Sequence, residues 1–371
     1  MAVKLKKAVK KKPSKKNTAQ ENLDLFLDDI VDDPKSKIVR MSKIKDSIIV
    51  PMNMVSYNRA SVVGGLVTGG SYSLCGKSQG GKTLFGVLGC YAFAKLGYPS
   101  LYLDAERTGD KEWFVDLGMN LKKGAYLVPN TLEHASEEVD KFIKKLVSFK
   151  KKIKGPFPAL IVGDSYNKIR PSEELKNAIV KGRQYPLHAA MFTDWMNKLT
   201  SLLYENDAIF MTVRHDRANM NKKNKFEPDT VSSGAQTLNH DSTMTIRFDM
   251  SSRDTVSYTL NGTERKRIVG YWHQFVVEKS KDGIKEERGK FYISNGKGHV
   301  PKGYCQYETA IEEALYQETI TKTKGRYTIN DTGECFDNRQ SLWEALSSDT
   351  NMYESFAAQL APEVYWNRKK E

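Results

Sequence analysis

Ser71-Tyr-Ser-Leu-Cys75, running directly into Gly76-Lys77-Ser78-Gln79-Gly80-Gly81-Lys82-Thr83, decides how the rest of the chain reads. The first five residues read as a strand, and the next eight match the Gly-x4-Gly-Lys-Thr pattern of a phosphate loop. A strand that delivers a glycine-rich turn, with a helix starting straight after it, aims backbone N–H groups and the positive helix end at a polyanion. Gly80 and Gly81 let the backbone approach closely, Lys82 neutralises the outer phosphates, and Thr83 offers its hydroxyl to Mg²⁺. The chain is therefore expected to bind and hydrolyse a nucleoside triphosphate, ATP with Mg²⁺.

Outward from this loop, strands alternate with helices. Residues 82–96 form a helix ending at Gly97, and Ser100–Asp104 reads as a second strand. Thr131–Leu146 carries Leu132, Ala135, Val139, Phe142, Ile143 and Leu146 at helical spacing. Ala159-Leu-Ile-Val-Gly-Asp164 is a third strand, apolar throughout as a strand buried on both faces should be. Residues 186–204 read as helical and Ala208–Val213 as a fourth strand. Such alternation predicts an α/β fold, a P-loop ATPase core with a mainly parallel sheet. Beyond Thr243 the spacing shortens, and 243–249, 255–260, 268–277 and 289–294 read as strands joined by turns such as Asn261-Gly262. From about 305 the pattern becomes a small, partly helical C-terminal module. There is no internal repeat.

Two carboxylates accompany the loop. Asp164, ending the third strand, can hold Mg²⁺ near Thr83, or merely cap a turn. In Asp104-Ala105-Glu106, at the end of the second strand, Glu106 is the candidate base for the attacking water, against the alternative of a structural hydrogen bond.

Composition bounds the remainder. The 371 residues are 39% hydrophobic and 28% charged, with no apolar run near the roughly 18 residues of a membrane helix. The lysine-rich N-terminus lacks the apolar stretch of a secretory signal. Cys75, Cys90, Cys305 and Cys335 lie far apart, which argues against a zinc site or disulfide framework and fits a reducing cytosol. Of the net charge of +13, residues 1–16 supply eight lysines and no acid, which leaves +5 for the rest. Such an arm attracts nucleic acid, or is simply a solvated leader. In Glu21–Asp33, Leu23, Phe26, Leu27, Ile30 and Val31 recur at helical spacing among six acids, a short amphipathic helix ended by Pro34.

An ordered set of motifs resembles the RecA/UvsX recombinase family, with the phage UvsX type the nearer match. It comprises Val50-Pro-Met-Asn-Met54, Val62–Gly70, the phosphate loop, Asp104–Asp110 with Trp113 and Leu117-Gly118, and Val277-Glu-Lys-Ser-Lys281 continuing to Lys290-Phe291. The resemblance covers roughly residues 47–304 and implies a RecA-like core there, preceded by a basic arm with an oligomerisation helix (1–46) and followed by the small module (305–371). It implies that Glu106 is the catalytic glutamate, that Trp113 stacks on adenine with Asp110 near its amino group, and that Lys279 and Lys281 reach a neighbouring subunit's ATP. It implies DNA contacts in two loops, Ile169–Pro186 with Arg170, Lys176, Lys181, Arg183 and Tyr185, and Arg214–Gly234 with Arg214, Arg217, Lys222, Lys223, Lys225 and Phe226.

Two positions depart from the family pattern. Val213 stands where the family has a polar γ-phosphate sensor, so Arg214 or His215 takes that role or the coupling differs. The C-terminus Trp366–Glu371 lacks an acidic tail. The implied activity is ATP-dependent strand exchange by a helical homo-oligomeric filament on single-stranded DNA, pairing it with homologous double-stranded DNA. Single-strand-binding and mediator proteins are candidate partners, there is no membrane, and the place is the cytoplasm (of a host cell, or a DNA-containing compartment, if phage-encoded). The alternatives are a replicative helicase motor, for which 46 residues before the core leave little room, and a non-catalytic ATP-dependent scaffold.

Overall fold

The computed structural model describes residues 23, 26–28, 31, 40–165, 168–181, 187–218, 230–232, 241–281 and 285–360, with the backbone alone for 177–181, 217–218 and 230–232. The chain divides into two units, Met1–Asp46 and Ser47–Glu371. In the first, Leu23, Phe26, Leu27, Asp28 and Val31 are helical, with Leu23 and Phe26 exposed. The rest of the helix expected over 21–33, and the lysine arm, lie outside the described residues.

The second unit opens with β1 (Ile49–Val50), α1 (Val55–Ala60) and β2 (Leu66–Val67). Next come β3 (Gly70–Gly76), α2 (Lys82–Lys95), β4 (Ser100–Asp104), α3 (Lys111–Asp116), β5 (Ala125–Leu127), α4 (Leu132–Lys150), β6 (Ala159–Asp164), α5 (Ser172–Lys181), α6 (Leu187–Glu205) and β7 (Ala208–Val213). After the small hairpin of β8 (Asp216–Ala218) and β9 (Thr230–Ser232) follow β10 (Met244–Leu260), β11 (Thr263–Ser280), β12 (Arg288–Ser294) and β13 (Gly303–Cys305). The main sheet has the order β13-β12-β11-β10-β3-β7-β6-β4-β5. From β10 to β5 every neighbour is parallel, and from β10 to β13 every neighbour is antiparallel. The predicted α/β fold with a mainly parallel sheet is the one the chain adopts.

The apolar strands explain the layering. Alternate residues point to opposite faces. Leu160 and Val162 of β6, with Ile209 and Met211 of β7, therefore pack with Phe85, Leu88 and Phe93 of α2. Ile161 and Phe210 face the other way, onto Val139 and Ile143 of α4 and Phe192, Met196 and Leu199 of α6. Thr131 caps helix α4, its hydroxyl accepting the His134 N–H at 3.1 Å.

The sheet corrects one expectation. The segments 243–249 and 255–260 are one strand, β10, and with β11 it forms a ribbon whose outer half carries exposed Val256, Tyr258 and Leu260. The polar stretch between the two segments reads as a break, but irregularities at Met250/Ser252 and Asp254/Thr255 carry the pairing through it. The last third contains α7 (Gln306–Tyr316), β14 (Ile320–Thr323), β15 (Arg326–Ile329), β16 (Cys335–Phe336), α8 (Arg339–Ser348) and α9 (Thr350–Leu360). These elements bury their own cluster, including Ile311, Tyr327, Leu342 and Phe356. Among the described residues no helix is long and apolar enough to cross a membrane.

Candidate active site

Because β3, β7, β6 and β4 run parallel, their C-terminal ends share one edge of the sheet, where α/β folds build their sites. β3 brings the chain to Gly76 at φ +131°, where a Cβ would lie 2.1 Å from the Phe248 carbonyl oxygen, so glycine is required. Gly81 (φ +103°) caps α2 with no side-chain acceptor, leaving the first helical N–H groups directed out of the loop. The Lys82 ammonium is buried and donates to the Gly76 carbonyl at 2.9 Å and the Lys77 carbonyl at 2.5 Å. Burial lowers its pKa, while Asp216, Asp164 and Glu106 oppose that shift. Lys82 thus folds the loop around one ammonium group in the field of three carboxylates.

β4 and β6 pair so that Asp104 and Asp164 are opposite one another. Asp164 is buried, and Tyr102 donates to its Oδ2 at 2.6 Å. Its Oδ1 is also buried and makes no well-formed hydrogen bond among the described residues. Burial raises the Asp164 pKa against the pull of the Tyr102 and Thr83 hydroxyls, and the charges of Glu106 and Asp104 push it up further. A buried, partly unsatisfied carboxylate beside a threonine hydroxyl is an oxygen donor set suited to a hard divalent cation.

Asp104 does a different job. Its Oδ1 accepts the Arg107 N–H at 2.7 Å, and its Oδ2 accepts the Gly109 N–H at 2.7 Å and the Tyr126 hydroxyl at 2.6 Å. With Asp104 holding this turn, and the Ala105 N–H donating to the Asp164 carbonyl at 2.7 Å, Glu106 is presented at the sheet edge. Its Oε1 meets His215 Nε2 at 3.1 Å and Lys168 Nζ at 3.2 Å. Burial works to raise the Glu106 pKa, but the hydrogen bonds from His215 and Lys168 outweigh it and keep the carboxyl below its usual range.

The other expected residues divide. Asp110 is the N-cap of α3, its Oδ1 accepting the Trp113 N–H at 2.9 Å, and Trp113 is half-buried against Phe114. Lys279 and Lys281 lie at the start-of-β10 end of the ribbon. Lys279 is opposite Thr245, itself beside Ser73. They are therefore displaced down the sheet from the loop of their own chain. Burial lowers the Lys279 pKa, and the neighbouring Lys281 ammonium adds to the effect.

Of the candidate DNA residues, Arg170 is half-exposed and 3.3 Å from Glu174, and Lys176 is exposed on α5. The segment 169–186, read as a loop, thus contains the helix Ser172–Lys181, and β8 and β9 pair inside the second segment. Arg214 corrects the prediction. It is 0% exposed, beneath Asp216, Arg247 and Glu278, and cannot face a phosphate backbone from there. Of Lys181 and Arg217 the backbone is described; Arg183, Tyr185, Lys222, Lys223, Lys225 and Phe226 lie outside the described residues. Val213 is buried in β7, which leaves His215 as the polar group after that strand that touches Glu106. Lys168, Tyr102 and Arg247 carry no sequence signal of a site, since only the fold brings them to this edge.

No family model matches the chain. Protein RecA of Thermotoga petrophila is 23% identical over 269 residues, spanning 72% of this chain and 69% of that protein. Protein RecA of Malacoplasma penetrans is 22% identical over 353 residues, spanning 95% of this chain and 99% of that protein. The chain is homologous to RecA-type recombinases at low identity. Protein RecA of Mycoplasma pneumoniae, 28% identical over 212 residues, covers 57% of each chain. Homology and the parallel sheet together support membership in the RecA-like ATPase superfamily, with the ATP- and Mg²⁺-binding character typical of that group.

Proposed function

We propose that this chain is an ATP-dependent DNA recombinase of the UvsX type, which assembles as a helical filament on single-stranded DNA and exchanges strands with homologous duplex. The observation that carries the reading is the position of Glu106. One carboxylate oxygen touches Lys168, immediately before the first candidate DNA segment, and His215, in the second. A base held at the root of both segments is one whose alignment DNA binding can change.

In this reading Glu106 orients the attacking water and takes its proton. The backbone of Gly76–Thr83 and the Lys82 ammonium hold the outer phosphates. Asp164 and Thr83 would hold Mg²⁺, which when bound supplies positive charge against the phosphates. His215 serves as the sensor that reports the γ-phosphate to the segment beyond it. Trp113 stacks on the base beside Asp110, and Lys279 and Lys281 complete the site of the next protomer. Arg170, Lys176, Lys181, Arg183, Arg217, Lys222, Lys223 and Lys225 supply phosphate contacts, with Tyr185 and Phe226 against bases.

A joint-molecule assay tests this. With ATP, Mg²⁺, circular single-stranded DNA and homologous linear duplex, the protein should form joint molecules, with ATP turnover stimulated by single-stranded DNA. ATP turnover indifferent to DNA, or closed rings in place of filaments by electron microscopy, would sink the proposal.

A further inference from the structure

β11 alternates, and its inward face carries Phe275 and Val277 into the core under α2. The next residue on that face is a histidine. His273 is 7% exposed, pairs with Met250 of β10 and Phe291 of β12, and lies against the Phe291 ring at 5.2 Å and 23°. Those two rings form a floor under the phosphate loop. A Cβ on Gly81 would lie 2.8 Å from Phe291 Cζ and 3.2 Å from both Cγ and Nδ1 of His273.

Phe291 shows that an apolar ring suffices for packing here. The histidine instead puts a polar atom, Nδ1, into the floor, where it is buried beside the Gly80 backbone without making a well-formed hydrogen bond among the described residues. Such an atom is costly unless another state satisfies it. The Gly80 backbone is already close enough to favour a proton on the ring, although burial dominates and lowers the His273 pKa, leaving a neutral imidazole near neutral pH. A neutral ring with its proton on Nδ1 has one donor to offer, and the adjacent acceptor is the Gly80 carbonyl.

We propose that His273 is a positioning residue for the phosphate loop: when the loop closes on a triphosphate, Nδ1–H donates to the Gly80 carbonyl and holds the Gly80–Gly81 peptide in its binding conformation. This deepens the phosphate-loop reading above and rests on it. A hydrogen bond that tightens as the loop closes on phosphates contributes to nucleotide affinity more than to stability of the free protein.

The test is titration of the full chain with a fluorescent ATP analogue and Mg²⁺, alongside thermal melting without nucleotide. His273→Leu fills the space without the polar atom and should weaken binding about tenfold, with no loss of melting temperature. His273→Asn returns an N–H donor at the position of Nδ1 and should bind within about twofold of wild type. Wild-type affinity in His273→Leu overturns the inference. So does equal weakening in both variants, which would make ring shape the operative property. If His273→Leu fails to fold, His273→Asn against His273→Gln carries the comparison, and the inference falls if the Asn variant binds no better than the Gln variant. Wild type that binds no analogue, or binding untouched by Lys82→Ala, is a failure of the phosphate-loop reading itself.

Discussion

Glu106 is held between Lys168 and His215, on segments that leave different strands, and this sets its chemistry. Glu106→Gln keeps the shape and loses the base, so turnover should fall about 10²- to 10⁴-fold while nucleotide-dependent assembly persists; turnover near wild type would exclude Glu106 as the base. The same contacts set the pH response. His215 and Lys168 hold the carboxyl below the ordinary value of 4.5 against the opposing effect of burial. Removing one weakens that hold against burial, so His215→Ala should move the acid limb of the turnover profile to higher pH, and an unmoved limb would separate His215 from the base. Arg214 belongs to a different class. Its guanidinium is buried, which lowers its pKa, near Asp216 and Glu278, which raise it. Arg214→Met should cost about 3 kcal/mol of stability in a urea titration, whereas a surface DNA contact would leave the midpoint unchanged. None of this was visible in the linear order Val213-Arg214-His215. One residue ends a buried strand, the next turns under it, and the third reaches a carboxylate 109 residues away, and only the exit angle of β7 separates them.

Elements differ in how plainly the sequence announces them. β6 and β7 are legible because apolar residues at every position require burial on both faces, and α4 because Leu132, Ala135, Val139, Ile143 and Leu146 all reach the core. The β10–β11 ribbon is not, because its two halves answer to different environments. At the root, Ile246, Phe248, Phe275 and Val277 are buried beneath the phosphate loop. Beyond Met250 both faces are largely exposed, no periodic pattern is imposed, and the strand continues on backbone pairing through its irregularities. Helix α5 is obscure for a related reason, since its acidic first turn and basic neighbours read as loop, whereas in the fold the Glu133 carboxylate accepts the Ser172 N–H at 3.1 Å. The ribbon's division makes a prediction. Removing residues 255–268 and joining Asp254 to Val269 through Asn-Gly removes no core side chain, so the melting temperature should change by less than about 4 °C. A much larger loss would show that the outer half stabilises the unit it projects from.

At the scale of the whole molecule, one sheet edge holds the loop, Asp164 and Glu106, while Lys279 and Lys281 sit elsewhere. Lys279 is level with Ser73, and the Lys281 N–H donates to the Thr243 carbonyl, whose own N–H donates to Ser71. Those positions are three and five residues before Gly76, about 10 and 16 Å along a strand, so neither lysine is level with the loop of its own chain. Two ammonium groups that crowd each other, enough to help lower the Lys279 pKa, gain by meeting an anion. A neighbour's phosphates would supply it if protomers stack head to tail, because a heterologous interface joins two different faces. This can be tested without a structure of the assembly. Lys279→Ala with Lys281→Ala keeps its own loop and Glu106 and lacks what it offers the neighbour; Glu106→Gln has the opposite defect. Each alone should hydrolyse ATP poorly on single-stranded DNA, and the double lysine variant should bind nucleotide normally as a monomer. Mixed in equal numbers, about one interface in four pairs an intact loop with intact lysines, so turnover should recover to about a quarter of wild type. A mixture no better than its parts, or a lysine variant that loses nucleotide binding as a monomer, would mean that the two lysines serve their own chain and that the site is complete within one protomer.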